Sequence, residues 1–185
     1  MNKKELIFRI LTAVATLASA VLIFFNWFTI SLPALNTFLK SGEMSLSFMN
    51  LPAFMQENAI GLITRMGGKS TSATLLILCG ILKYVCMVSA ILAVYGIWKI
   101  CIRKRKSRFI FSSQVIAIAM EGFSLLLIIV INIVISRYAG VFASAMKVQE
   151  SLIDVSFLPT LWMVLATACS VTSLVCSNIY NKIIE

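Results

Sequence analysis

The sequence predicts an all-α protein, an integral membrane four-helix bundle with a partly helical extracytoplasmic cap. Three observations carry that expectation. Four stretches are apolar over about 20 residues or more, the length a helix needs to cross roughly 30 Å of hydrocarbon. Of the 185 residues 60% are apolar and 12% charged, against about a quarter charged in a soluble domain. A water-soluble fold of this size has too little interior to hide that much apolar surface, so the expected solvent is lipid. Third, the 16 basic residues are concentrated on one side of the four stretches.

The first span is read over residues 10–30. Lys3, Lys4 and Arg9 precede it and Ala18-Ser19-Ala20 resembles a cleavage site, but the apolar run continues past it, as in an uncleaved anchor. The second span covers residues 73–100, the third 110–136 and the fourth 157–180, with Pro159 in the first turn, where a missing amide donor costs little. Thr12, Ala15, Thr16, Ser19 and Ala20 in span one, Ser89 and Ala93 in span two, and Ala166, Ser170, Ser173 and Ser177 in span four form small-residue rows that let helix backbones approach. The whole chain, 1–185, reads as one four-span domain.

Orientation follows from charge. Lys3, Lys4 and Arg9 lie before span one, Lys99, Arg103, Lys104, Arg105, Lys106 and Arg108 crowd the connection around residues 101–109, and Lys182 follows span four. Lys40, Arg65, Lys69, Arg137 and Lys147 are spread thinly over the other side. The positive-inside rule then places both termini and the basic loop in the cytoplasm of a multi-pass cell-membrane protein. The basic-loop residues are the expected contacts to anionic lipid headgroups, and the net charge of +9 needs no nucleic acid to explain it.

Residues 31–72 form the long outer loop, too long to lack internal structure. Asn50, Pro52 and Gly67-Gly68 bracket an amphipathic helix over residues 51–66, whose apolar face, the expected surface of the cap, carries Leu51, Phe54, Met55, Leu62, Ile63 and Met66. Residues 31–40 read as a shorter helix, and residues 44–49 alternate as a strand would. In the second outer loop, apolar spacing from Val141 to Val155 extends span three outward or restarts it after Gly140.

Four spans, both termini inside and a long first outer loop are similar to the outline of the claudin superfamily and of the tetraspanins. Trp27, at the exit of span one, is similar to the tryptophan-bearing start of a claudin loop. Those families carry paired cysteines in their outer loops, and residues 31–72 and 138–156 contain none. The resemblance is one of topology, which implies no function.

Candidate chemistry is confined to a few polar residues at membrane depth. Lys83 in span two, about 5 Å from its centre, and Glu121 in span three would meet if the two spans are centred alike. If span three begins nearer Val115, Arg9 competes for the carboxylate. Asn132 completes this intramembrane polar site as an interhelical hydrogen-bonding group. Its alternatives are a buried ion pair that sets helix register and a protonatable group in a transport path.

Histidine is absent, and the five cysteines all lie in or beside apolar spans, so neither a disulfide framework nor a zinc site is expected. Cys101, beside the basic cluster, is in a setting suited to acylation. No phosphate loop, nucleophile elbow or metalloprotease motif is present, so no cofactor, metal or catalytic residue is assigned. The expected role is that of a non-enzymatic interaction or accessory protein: a scaffold, a subunit or an immunity-type protector with a membrane-protein partner or a second copy of itself. The competing reading is a small transporter or channel subunit built on Glu121 and Lys83.

Overall fold

In the computed structural model the described residues are 3–31, 43–54, 56–57, 60–103, 108–146 and 156–184. For residues 30–31, 43–44, 60–72, 75, 131, 134–146 and 156–157 the description is of the backbone alone. The chain is mostly helical. Its elements run α1 (Lys3–Leu22), β1 (Phe28–Ser31), β2 (Glu43–Leu46), α2 (Leu51–Phe54), α3 (Ile60–Arg103), α4 (Arg108–Met146), β3 (Ser156–Pro159) and α5 (Leu161–Ile184). Four helical segments are long and apolar enough to cross a membrane: Lys3–Leu22, Leu76–Arg103, Arg108–Val130 and Leu161–Ile184.

The four long helices pack mainly as α1 on α5 and α3 on α4, with α1 also on α3 and α4 on α5. Their seams repeat every three or four residues. Along α5 Met163, Ala166, Ser170, Ser173, Ser177 and Tyr180 are buried at spacings that alternate three and four, with Cys176 buried beside that stripe. That period keeps one stripe facing its neighbours on a gently supercoiling helix. The stripe of α3 is built alike from Cys79, Cys86, Ser89, Ala93 and Ile100, and small side chains dominate both.

At one end a three-stranded antiparallel sheet closes the helices, in the order β2-β1-β3. Phe28 pairs with Leu46 on one side and Pro159 on the other. The sheet begins earlier in hydrogen bonding than in strand assignment: Trp27 N–H donates to Leu46 O at 2.9 Å, and Thr160 N–H donates to Trp27 O at 3.0 Å. Beneath the sheet Trp27, Phe28, Leu46, Phe48, Leu51, Ile23, Met120 and Met163 form one apolar core. The Phe48 ring meets Trp27 and Phe28 edge-on at 5.2 and 5.3 Å.

Several expected boundaries move. The first helix ends at Leu22, and Phe28–Ser31 is a strand where the helical span was drawn to residue 30. Ser156–Pro159 is likewise a strand, so Pro159 ends β3 and α5 starts at Leu161. β-branched and aromatic residues with an apolar run fit either element, and only pairing partners far along the chain select the strand. β2 covers part of the alternating stretch 44–49.

The helix expected over 51–66 is divided. α2 is a single turn, capped by Ser47, whose side chain accepts from Asn50 N–H. Helix α3 starts at Ile60 and passes through Gly67-Gly68 without stopping. Glycine ends a helix only when the chain turns there, and no proline follows to force it. Similarly α4 runs through Gly140 to Met146, the outward continuation of span three. Residues 32–40, expected as a short helix, lie outside the described residues.

Candidate functional site

A buried carboxylate sets the site. Glu121 is 2% exposed, on the α4 face turned toward α5 and α1. Its Oε1 accepts from Ser170 Oγ at 3.0 Å, and the Thr167 hydroxyl lies beside it. Oε2 is buried with no hydrogen-bond partner.

Behind Ser170 stands a ladder of hydroxyls between α1 and α5. Ser19 Oγ lies 2.8 Å from Ser170 Oγ, and Thr16 Oγ1 lies 2.6 Å from Ser173 Oγ. Each hydroxyl has one proton, which fixes the directions. Ser170 donates to Glu121, so Ser19 donates to Ser170. Thr16 donates to Thr12 O at 2.6 Å, so Ser173 donates to Thr16. The small-residue rows are thus more than spacers, because they join the buried carboxyl to the helix seam.

These rungs place the other candidates. Helices α3 and α4 are stapled by a reciprocal pair, Ser89 Oγ to Ser113 O at 3.1 Å and Ser113 Oγ to Ser89 O at 2.9 Å. From this staple Glu121 lies about 12 Å along α4 and Lys83 about 9 Å along α3, both toward the sheet. The two therefore share a depth, but at about 100° per residue Lys83 is turned roughly 120° away from Ser89. Lys83 is half-buried, and among the described residues it forms no ion pair with Glu121. Arg9 is not the partner either: it lies ten residues, about 15 Å, below Ser19 on α1. Asn132 stands about 16 Å beyond Glu121 along α4 and is engaged by a neighbour of its own.

The uncoupled geometry yields a direct expectation. In a double-mutant cycle of Lys83→Met and Glu121→Gln, followed by unfolding in detergent, the coupling energy should stay below about 0.5 kcal/mol. A coupling above about 1.5 kcal/mol would mean an ion pair that this arrangement lacks.

Of the remaining expected residues, Lys99 Nζ lies 5.2 Å over the Phe109 ring, and Arg103 Cζ lies 5.0 Å over Trp98. These cation–π contacts hold both cations against the helices at the α3–α4 connection. Arg108 opens α4 and is exposed. Lys104, Arg105 and Lys106 lie outside the described residues. In the cap, Leu51 is buried and Phe54 packs against the same core, so both face inward rather than forming an outer surface. Met55 is outside the described residues, as are the side chains of Leu62, Ile63 and Met66.

Comparison with protein-family models, with curated proteins and with solved structures finds no match to this chain. The chemistry must therefore be read from the residues. Among the described residues no group of histidine, cysteine or acidic side chains has the makings of a metal site, and all five cysteines are free. A carboxyl that holds one hydroxyl donor and leaves one oxygen open is equipped to bind and release a proton.

A second set of polar groups lacks partners, and of these the sequence alone did not single out Gln114, Tyr180 or Asn181. Gln114 is 1% exposed, with neither its amide nitrogen nor its oxygen hydrogen-bonded, and Ser177 Oγ, Tyr180 Oη, Asn181 Oδ1 and Arg9 Nη1 are buried without partners too. One signal was available. Gln114 stands seven residues before Glu121, hence on the same helical line.

Proposed function

We propose that this chain is a non-enzymatic, multi-pass protein of the cell membrane, a four-helix bundle with both termini in the cytoplasm, acting as an interaction or accessory subunit. The membrane reading is supported by burial that inverts the soluble pattern. Leu161, Ile91, Leu126 and Val14 are 61–70% exposed, while Thr12, Thr16, Ser170 and Ser173 are wholly buried. In water that arrangement would be unstable, whereas in hydrocarbon it is the expected one. The distribution of Lys and Arg supports the orientation.

The interaction reading rests on one observation. A shallow, open and almost wholly apolar hollow of about 480 Å³ lies on the face of α3 over Ala90, Ile91, Val94, Tyr95 and Trp98. A hollow of this kind suits the apolar face of another membrane helix, packed by van der Waals contact. The core under Trp27 and Phe48 closes the sheet end, which argues against a route through the bundle.

Two measurements test this. A photoreactive benzoylphenylalanine placed at Ile91 should give one discrete protein adduct in native membranes, and the same residue at exposed Val14 on α1 should give lipid adducts alone. Absence of a protein adduct at Ile91 would count against the hollow. The transporter reading draws its support from Glu121 and its hydroxyl ladder. In proteoliposomes it requires a proton or solute flux that Glu121→Gln abolishes, whereas an accessory protein should show none.

A further inference from the structure

The unpartnered buried groups are not scattered through the helices. By the rungs Ser19–Ser170 and Thr16–Ser173, α1 and α5 run antiparallel with Thr12 opposite Ser177 and Arg9 opposite Tyr180. By the contact of Ser170 with Glu121, α4 and α5 run antiparallel with Gln114 level with Ser177. Arg9, Glu5 and Cys101 lie within electrostatic reach of the Tyr180 hydroxyl, and Ile110 and Ile100 pack on its ring. Five of the six residues with unmet buried polar atoms on these three helices therefore line the column between Glu121 and the ends that carry the termini.

The sixth is Glu121 itself, and among the described residues none lies on its other side. There Ile23, Trp27, Phe48, Met120, Met163 and Ala166 close the helices with apolar surface, and buried Ser124 is satisfied by Met120 O at 2.7 Å. Buried polar groups are hydrogen-bonded in native proteins, to water where protein offers nothing. Successive hydroxyls along α5 are about one turn, roughly 5 Å, apart, a gap that one water bridges.

We propose that Glu121 is a proton-binding site reached by water from one side only, the side of the two termini, past Arg9, Tyr180, Asn181, Ser177 and Gln114. The ligand is a proton carried along that column and accepted by the carboxylate; nothing passes on through the sheet end. Such a one-sided site responds to the pH of the terminal compartment. Few charges face it. On α3 the titratable groups near its level are buried Cys79 and Cys86, with half-buried Lys83 and exposed Tyr84 turned away from the seam; α5 presents Ser170 and Thr167 there, with half-buried Cys169 between them, and α1 presents Ser19. Arg9, Glu5, Tyr180 and Lys182 stand at the column's mouth, and Arg108 at the start of α4. The inference is independent of the hollow on α3 and of any partner.

The experiment is infrared difference spectroscopy on the full chain in lipid nanodiscs between acid and alkaline pH. The C=O stretch of a protonated carboxyl should appear on acidification and be missing in Glu121→Gln. On a step into D2O that band should shift promptly, and about tenfold more slowly in Gln114→Leu/Ser177→Val, where apolar groups replace the polar lining. A band that Glu121→Gln does not remove, one that never exchanges, or equal rates in both proteins would each overturn the proposal. Should the double variant fail to fold, Ser177→Cys in a background lacking the native cysteines replaces it. A membrane-impermeant thiol reagent should label that cysteine from the terminal side, and failure to label it would exclude the water column.

Discussion

Trp27→Ala is expected to destabilise the protein by about 3–5 kcal/mol, the range for removing a fully buried aromatic side chain. Trp27 has no exposed surface and occupies the centre of the core beneath the sheet. Three elements converge on it. Its ring nitrogen donates to Leu22 O at 2.8 Å, which occupies a carbonyl at the end of α1. Its backbone N–H and carbonyl are taken by Leu46 and Thr160, so the residue also joins β2 to the start of α5. Its face meets Phe48. Unfolding in detergent micelles measures the loss, and Trp27→Phe separates its parts. Phenylalanine keeps most of the apolar contact and leaves Leu22 O without this donor, so its cost should be nearer 1–2 kcal/mol. Equal losses for both variants would mean that the hydrogen bond, not packing, dominates.

A comparable loss is expected for Ser170→Leu. Ser170 is wholly buried where α1, α4 and α5 meet, touching Ser19 and Glu121. Leucine there overpacks a seam made of small side chains, costing about 1–3 kcal/mol. It also removes the donor to Glu121 Oε1 and leaves the buried carboxylate with only the Thr167 hydroxyl beside it, about 1.5–3 kcal/mol more. Ser170→Ala isolates the second contribution, since alanine fits the seam. Adding Glu121→Gln to Ser170→Ala should recover part of the loss by removing the buried charge. Were Ser170→Leu to unfold like the parent, the α1–α5 seam would be far looser than its 2.6–2.8 Å hydroxyl pairs describe.

These two residues also mark the division between what is legible along the chain and what is not. The four apolar helices were legible, because about 20 residues that are nearly all apolar carry that information locally. So were the small-residue rows at Thr12, Thr16, Ser19, Ser170 and Ser173, which do form the α1–α5 seam. The strand β2 was legible as an alternation. Strands β1 and β3 were not: Phe28–Ser31 and Ser156–Pro159 read as continuations of helices, and they become strands because each pairs with residues distant in sequence.

The polar site divides the same way. Sequence placed Glu121 level with Lys83 only if the two spans are centred alike, since depth is counted at about 1.5 Å per residue from a boundary that composition leaves open by several residues. It did not give azimuth. Which face of α4 meets which neighbour is settled by the packing of four helices at once, and that packing turns Glu121 toward Ser170 and Lys83 to the flank of α3. Gln114, Tyr180 and Asn181 acquire meaning for the same reason, as their levels align only when α1, α4 and α5 are docked in register. By itself, then, the sequence determined the helical class and the number of long apolar helices, both local consequences of composition and rise per residue. Only the tertiary structure decided the sheet, the helix faces and the partner of Glu121, because each depends on contacts between segments far apart along the chain or on rotation about a helix axis.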